Sequence, residues 1–269
     1  MRGPMAIVYN SEKVRGVLNL SESEKNYQLA RILPSKELSF YVEQFWIVRW
    51  DLRNKKPHLQ ENIPHPCVHL VLEKNKSRIV GIVTRKYSYC LQDAGKIFGI
   101  KFRPGGFYPF LNSAVAEFTD SNLSMHDVFD DCENFINTVL DENADEAMVN
   151  YAEKFLYSKL PAQKDNNIEK INNIIAKIET DRCITKVDNI VTISGINKRT
   201  LQRLFYKYVG VSPKWVIKKY RLQEVLEKFE NGNVDVQDMI YELGYFDQSH
   251  FIRDFKAFIG KSPHMYMDN

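Results

Sequence analysis

Residues 197–205 read NKRTLQRLF and residues 247–255 read DQSHFIRDF. Each stretch opens on a side chain that accepts hydrogen bonds from a helix N-terminus, and each sets an Arg two places before a Phe. The likeness extends both ways. Residues 187–195 (VDNIVTISG) match 236–244 (VQDMIYELG) at an offset of 49, whereas Asn197 matches Asp247 at an offset of 50, so the second copy has one more residue in its turn. Further on, Gly210-Val211-Ser212-Pro213 recurs as Gly260-Lys261-Ser262-Pro263. Each unit reads as helix, Gly-containing turn, helix, and a Ser-Pro start for another helix. Asn197 and Asp247 are the expected N-caps of the second helices, and Pro is tolerated at a first helical position. A connecting helix is expected from Pro213 to about Glu230, stopped by Asn231-Gly232.

On a helical wheel, Leu201, Leu204, Phe205 and Tyr208 form the stripe to be buried, and Arg199, Gln202, Arg203 and Tyr206 fall on another face. In the second copy Phe251, Phe255 and Phe258 are the stripe, with Ser249, Ile252, Arg253 and Lys256 outside it. A charged stripe on one helix is ordinarily a solvated face. Here the outward residues include Arg and Gln, which pair bidentately with guanine and adenine edges in the major groove. Between Lys198 and Arg221 there are also eight basic residues (Lys198, Arg199, Arg203, Lys207, Lys214, Lys218, Lys219, Arg221) and no acidic one. Solvated helices usually mix signs, and a block of one sign suits phosphate contact. Helix, short turn and helix is the form of a helix-turn-helix. Two units on one connecting helix would address successive major-groove faces, about 34 Å apart.

GINKRTLQRLFYKYVGVSPKWVIKKYRLQ and ELGYFDQSHFIRDFKAFIGKSPHMY resemble the paired helix-turn-helix domain of AraC/XylS-type transcription regulators over about 185–266. The Leu-Gly-Tyr, Asp-Gln-Ser-His-Phe and Gly-x-Ser-Pro elements occur in order. The resemblance implies base contacts from the early turns of both second helices, here Arg199, Gln202 and Arg203, then Gln248, Ser249, His250 and Arg253. With their flanking groups, the expected DNA-facing set is Lys198, Arg199, Gln202, Arg203, Tyr206, Gln248, Ser249, His250, Arg253 and Lys256. Two positions depart from the pattern: Asp254 stands where the first copy has Leu204, and Ile252 is apolar. His250 has a structural alternative, since a His at a helix start also bonds phosphate or backbone.

The first 118 residues read as short strands: 40–50, 67–73, 77–83, 86–91 and 96–102, separated by NKKP, EKNKS, DAG and RPGG. From Ser124 the apolar period turns helical (Phe135, Val139, Met148, Ala152, Phe155). The expected class is α+β: a β-barrel-like domain at 1–118, a helical segment and linker at 119–164, and an all-α DNA-binding domain at 165–269. The front part is similar, more loosely, to the β-barrel domain of some such regulators through IPHPCVHLVLE (63–73) and GIKFRPGGFYPFL (99–111). Those front domains sense a ligand or dimerise. The many strand aromatics (Phe40, Tyr41, Phe45, Trp46, Trp50, Tyr87, Tyr89, Phe98, Phe102) fit a small organic effector held within 40–110, with His69 or Arg103 as the orienting polar contact. A ligand-free dimerisation role is the alternative.

Other chemistries are weak. His65, Cys67 and His69 share one side of a strand, with His58 nearby, yet their spacing is not diagnostic of metal, and barrel-facing residues with local hydrogen bonds are the favoured reading. Arg103 pairs either an anionic ligand or a local carboxylate, and RPGG lacks the GxxxxGK[ST] phosphate-loop pattern. No nucleophile elbow or triad signature occurs. The runner-up is an enzyme or metal-binding barrel tethered to DNA by the same module. Its methyl-accepting form needs four close cysteines, and Cys67, Cys90, Cys132 and Cys183 are dispersed. No catalytic residue, cofactor or metal is therefore expected. With 44% apolar and 26% charged residues and no apolar span, the chain reads as a cytoplasmic globular protein away from membranes. Expected partners are double-stranded DNA, a small-molecule effector, a second copy in a homodimer, and RNA polymerase for an activator.

Overall fold

A computed structural model of the chain describes residues 8–12, 16–230, 240, 243, 245 and 247–267. The front half is built on a seven-stranded antiparallel sheet in the order β1 (Val8–Tyr9), β2 (Gln28–Leu33), β3 (Val42–Asp51), β8 (Ala94–Phe102), β5 (His69–Glu73), β6 (Arg78–Val80), β9 (Asn122–Leu123). The remaining strands, β4 (His58–Asn62) and β7 (Tyr87–Leu91), pair with each other in a second sheet, and Val17 bridges to Asn62 at the end of β4. The barrel expected from the strand pattern is therefore a pair of unequal sheets that does not close. The strand expected from residue 40 starts only at Val42, because Leu38–Phe40 form a 3-10 turn, and strand pairing of 77–83 ends at Val80.

Period-two alternation gives the large sheet two different faces. Phe45 and Ile47 on β3, Phe98, Ile100 and Phe102 on β8, and Leu70 and Leu72 on β5 point one way and are buried. Covering them are α2 (Cys132–Asp141) and α3 (Asp145–Lys159), whose Phe135 and Phe155 rings stack 4.0 Å apart. Gln44, Trp46 and Val48 on β3, Lys101 on β8 and His69 on β5 point the other way, into a cavity.

The helical part follows as α4 (Asn166–Thr180), α5 (Val187–Ser194), α6 (Lys198–Leu204), α7 (Pro213–Glu230), α8 (Gln248–Ile259) and α9 (Pro263–Met267). After Leu204 the second helix of the first unit widens into a π-turn at Phe205–Val209. The first helix of the second unit (236–244) and the stop signal of the connecting helix at 231–232 lie outside the described residues, except Ile240 and Leu243, which are buried. One continuous apolar core runs from the sheet through α2, α3 and α4 to Leu201, Phe205, Val216 and Ile217. The second unit gathers Leu222, Val225, Leu226, Phe251, Phe255 and Phe258 into a separate cluster. Trp215 of α7 packs against both.

Candidate nucleic-acid interface and internal cavity

The two second helices are built alike. The Asn197 side chain accepts from Thr200 N at 2.9 Å, and that of Asp247 from His250 N at 2.8 Å, each satisfying a backbone donor the helix leaves free. Ahead of α6 the chain turns at Gly195, whose φ of 68° is a left-handed conformation that side chains rarely adopt. Below the cap, Leu201 and Phe205 in one helix and Phe251, Phe255 and Phe258 in the other are buried. All ten residues of the expected DNA-facing set are exposed, and Tyr206 keeps 56% of its surface. Apolar Ile252, by contrast, is half-buried against the second cluster.

The basic block divides. Lys198, Arg199, Arg203, Lys207 and Lys214 are exposed, while Lys218, Lys219 and Arg221 are not. Acid-free in sequence, the block nevertheless meets acids in space: Lys198 pairs with Asp188 of α5 at 2.9 Å. Lys218, which the one-signed run had marked for phosphate, pairs with Asp254 of α8 at 2.9 Å. That pair also accounts for Asp254 at the position of Leu204, because an acid there ties the second unit to the connecting helix. Arg221 turns inward to the carbonyls of Ile178 and Asp181 and to Glu224. Lys207 lies over the Tyr108 ring, 4.9 Å from its centroid.

His250 Nδ1 lies 2.7 Å from Asp247 Oδ2. This contact holds the ring at the helix start, and the bond from His250 N together with it keeps the Asp247 carboxyl below its usual range.

Behind the large sheet lies a cavity of about 1030 Å³. It extends beyond 40–110: Tyr27, Leu29 and Arg31 line one end, and Asn172 of α4 with Lys219, Tyr220 and Gln223 of α7 line another wall. Of the nine strand aromatics, only Trp46, Tyr87 and Tyr89 line it. Tyr41, Phe45, Phe98 and Phe102 belong to the core on the opposite face. Gly99 makes room for the Trp46 indole, since a Cβ there would lie 2.0 Å from Trp46 Cε2.

One corner is rich in charge. Lys101 pairs with Glu43 at 2.7 Å, and Arg103 Nε donates to the Ser39 carbonyl at 2.6 Å rather than to a carboxylate. Lys219 is 2% exposed and donates to Gln223 Oε1 at 2.5 Å. Burial, followed by the Lys101 charge, brings its amine down to about 7. His69 is brought to about 3, and His65 well below its usual range, by desolvation and then nearby cations. The same desolvation pushes the Cys67 thiol up to about 12, making it a poor nucleophile and ligand. Among the described residues, no three of His, Cys, Asp or Glu converge to hold a metal ion. Lys219 had been grouped with the basic block, and only its packing separates it from the exposed lysines.

Residues 190–269 match the family model described as a helix-turn-helix domain, and 30–124 match one described as a domain of unknown function (DUF6597). The chain is 32% identical over 119 residues to the HTH-type transcriptional activator AarP of Providencia stuartii, covering 41% of this chain and 87% of that protein. It is 28% identical over 102 residues to the probable transcription factor PqrA of Proteus vulgaris, covering 37% and 84%. Among solved structures, ToxT from Vibrio cholerae aligns with a TM-score of 0.37 at 14% identity, over 90% of this chain and 98% of that one. No helix among the described residues is long and apolar enough to cross a membrane.

Proposed function

The chain belongs to the AraC/XylS-type family of transcription regulators, which act by binding DNA, and we propose that α6 and α8 are its two reading heads. Arg199, Gln202 and Arg203, then Gln248, Ser249, His250 and Arg253, face base edges in successive major grooves. Lys198, Tyr206, Lys214 and Lys256 contact the backbone. The observation behind this assignment is the duplicated capped helix, with Phe205 and Phe255 buried and Arg203 and Arg253 exposed at the same offset of 50. AarP is named an activator. By analogy this chain activates transcription in the cytoplasm and contacts RNA polymerase while bound to DNA.

The cavity is the effector site. Its walls combine an apolar stretch (Leu29, Val48, Leu91) with the Lys101, Arg103 and Lys219 corner, where Glu43 and Glu179 are the acids facing the cations among the described residues. An elongated organic molecule with one anionic group satisfies both ends. His69 and Arg103, singled out from sequence, lie on its wall, and Lys219 joins them from the helical part.

The test is mapping of genomic DNA bound by the purified full chain, followed by salt titration on a recovered site. Specific binding that weakens steeply with salt is expected, because each phosphate contacted releases counterions. Binding that ignores sequence, or lacks salt dependence, refutes the assignment. Metabolites implied by the neighbouring genes should raise the melting temperature if the cavity takes them. If none does, and the chain dimerises through its front half, that half is an assembly module.

A further inference from the structure

Two connections hold the reading heads relative to each other, and both are walls of the cavity. One is α7, which begins at the first head, ends toward the second, and turns Lys219, Tyr220 and Gln223 inward. The other is the front-half segment 80–86. Val80, Gly81 and Val83 line the cavity. Ile82, between them, meets the first head: a Cβ at Gly210 would lie 2.9 Å from Ile82 Cγ1, and Thr119 Oγ1 donates to Gly210 O at 2.7 Å. Four residues on, Lys86 meets the second head, where a Cβ at Gly260 would lie 2.6 Å from Lys86 Cε. Gly210 and Gly260 are the equivalent glycines of the two repeats, so one short segment touches the same turn of both heads.

That segment is not a loose loop. Asp120 N donates to Ile82 O at 2.8 Å, Gly81 N to Ser121 O at 3.0 Å, and Thr84 N and Oγ1 to the Asp120 carboxylate at 2.7 and 2.6 Å. Lys86 is paired with Glu61 of β4, whose neighbours Gln60 and Asn62 line the cavity as well. Val83 on the cavity wall and Ile82 against Gly210 are consecutive in the chain, so pressure on Val83 is delivered to Ile82 and onward. Packed interiors transmit such shifts rather than absorb them.

We propose that an occupant of the cavity sets the relative placement of the two reading heads, by wedging segment 80–86 against α7. This rests on the reading of the cavity as the effector site, and it adds how the effector is read out. A molecule that binds one head arrangement better than another shifts the protein toward that arrangement. Affinity then changes most for DNA that must meet both heads at once.

The experiment measures the distance between heads in the full chain. Exposed Cys90 and Cys183 are replaced by Ser, and spin labels are attached at Thr192→Cys and Ala257→Cys, exposed positions outside the base-facing set. The distance distribution is recorded by pulsed electron paramagnetic resonance. The cavity is filled in two ways: by a side chain, in Val48→Trp or Leu29→Trp, and by the apolar anion 1-anilinonaphthalene-8-sulfonate. Either filling should move the mean distance, and Lys86→Ala with Thr119→Ala, which removes the Lys86 contact with the second head and the Thr119 bond to the first, should broaden the distribution. Cooperatively melting Trp variants with an unchanged distribution would overturn the proposal. If neither Trp variant folds, an unchanged distribution in the Lys86→Ala, Thr119→Ala protein overturns it instead. Failure of the dye to bind, or binding that the Trp variants do not reduce, counts against the cavity as an effector site. The Trp arm still decides the coupling.

Discussion

Replacing Lys219 by Met should flatten the stability of the protein between about pH 7 and pH 9.5. The Lys219 amine is 2% exposed, and burial with the neighbouring Lys101 charge lowers it from 10.5 to about 7 in the folded chain. Across that window the unfolded chain keeps the Lys219 proton while the folded chain releases it. Stability rises with pH wherever the unfolded state binds more protons, so it climbs as pH rises from 7. Integrating the difference in bound protons from about pH 7 to pH 9.5 gives about 3 kcal/mol from this one group. At pH 7 the Met variant should be more stable by up to about 4 kcal/mol, reduced by loss of the bond to Gln223 and by water reaching the amine from the cavity. Tyrosines held above their usual range, such as Tyr89 and Tyr208, act in the opposite sense above about pH 10, so the window stops short of them. Urea unfolding of both proteins at several pH values is the assay, and the difference between the two slopes isolates Lys219, since the other groups are common to both. Equal slopes would refute the account of Lys219 as a desolvated amine and remove the main support for an anion at that corner.

At the acidic end, His65 and His69 have lowered pKa values when folded, so protons taken up by the unfolded chain below about pH 6.5 should erode stability. His69→Gln should make that loss shallower in acid titrations followed by circular dichroism. Arg203→Ala should cost about 1–3 kcal/mol on a specific site and little on random DNA, measured by fluorescence anisotropy. Lys214→Ala should weaken all sequences alike and lower the salt slope by about 1. Asn197→Ala should cost about 1 kcal/mol of stability through loss of the cap, read by urea unfolding, whereas Asn197→Ser should restore most of it.

The sequence by itself determined the repeat, the caps at Asn197 and Asp247, the α7 span and the outward positions of Arg199, Gln202, Arg203 and Arg253. These are local properties. Capping and the 3.6-residue period depend on residues within a turn or two, so they can be read before the chain folds. Only the tertiary structure decided where single members of the basic block go. Lys218 and Lys219 are neighbours of one residue type, yet a step of about 100° around a helix puts one against Asp254 and the other into the cavity. The front half was harder to read for a related reason. On β3 both alternating sets are apolar or aromatic, Phe45 and Ile47 against Trp46 and Val48, so the period of two says that two faces exist without saying which is core. That choice is made by α2 and α3, from later in the chain, and by pairing between β3 and β8, more than forty residues apart in sequence. The cavity, the exclusion of Tyr41 and Phe45 from its wall, and the segment that touches both heads all follow from those distant contacts.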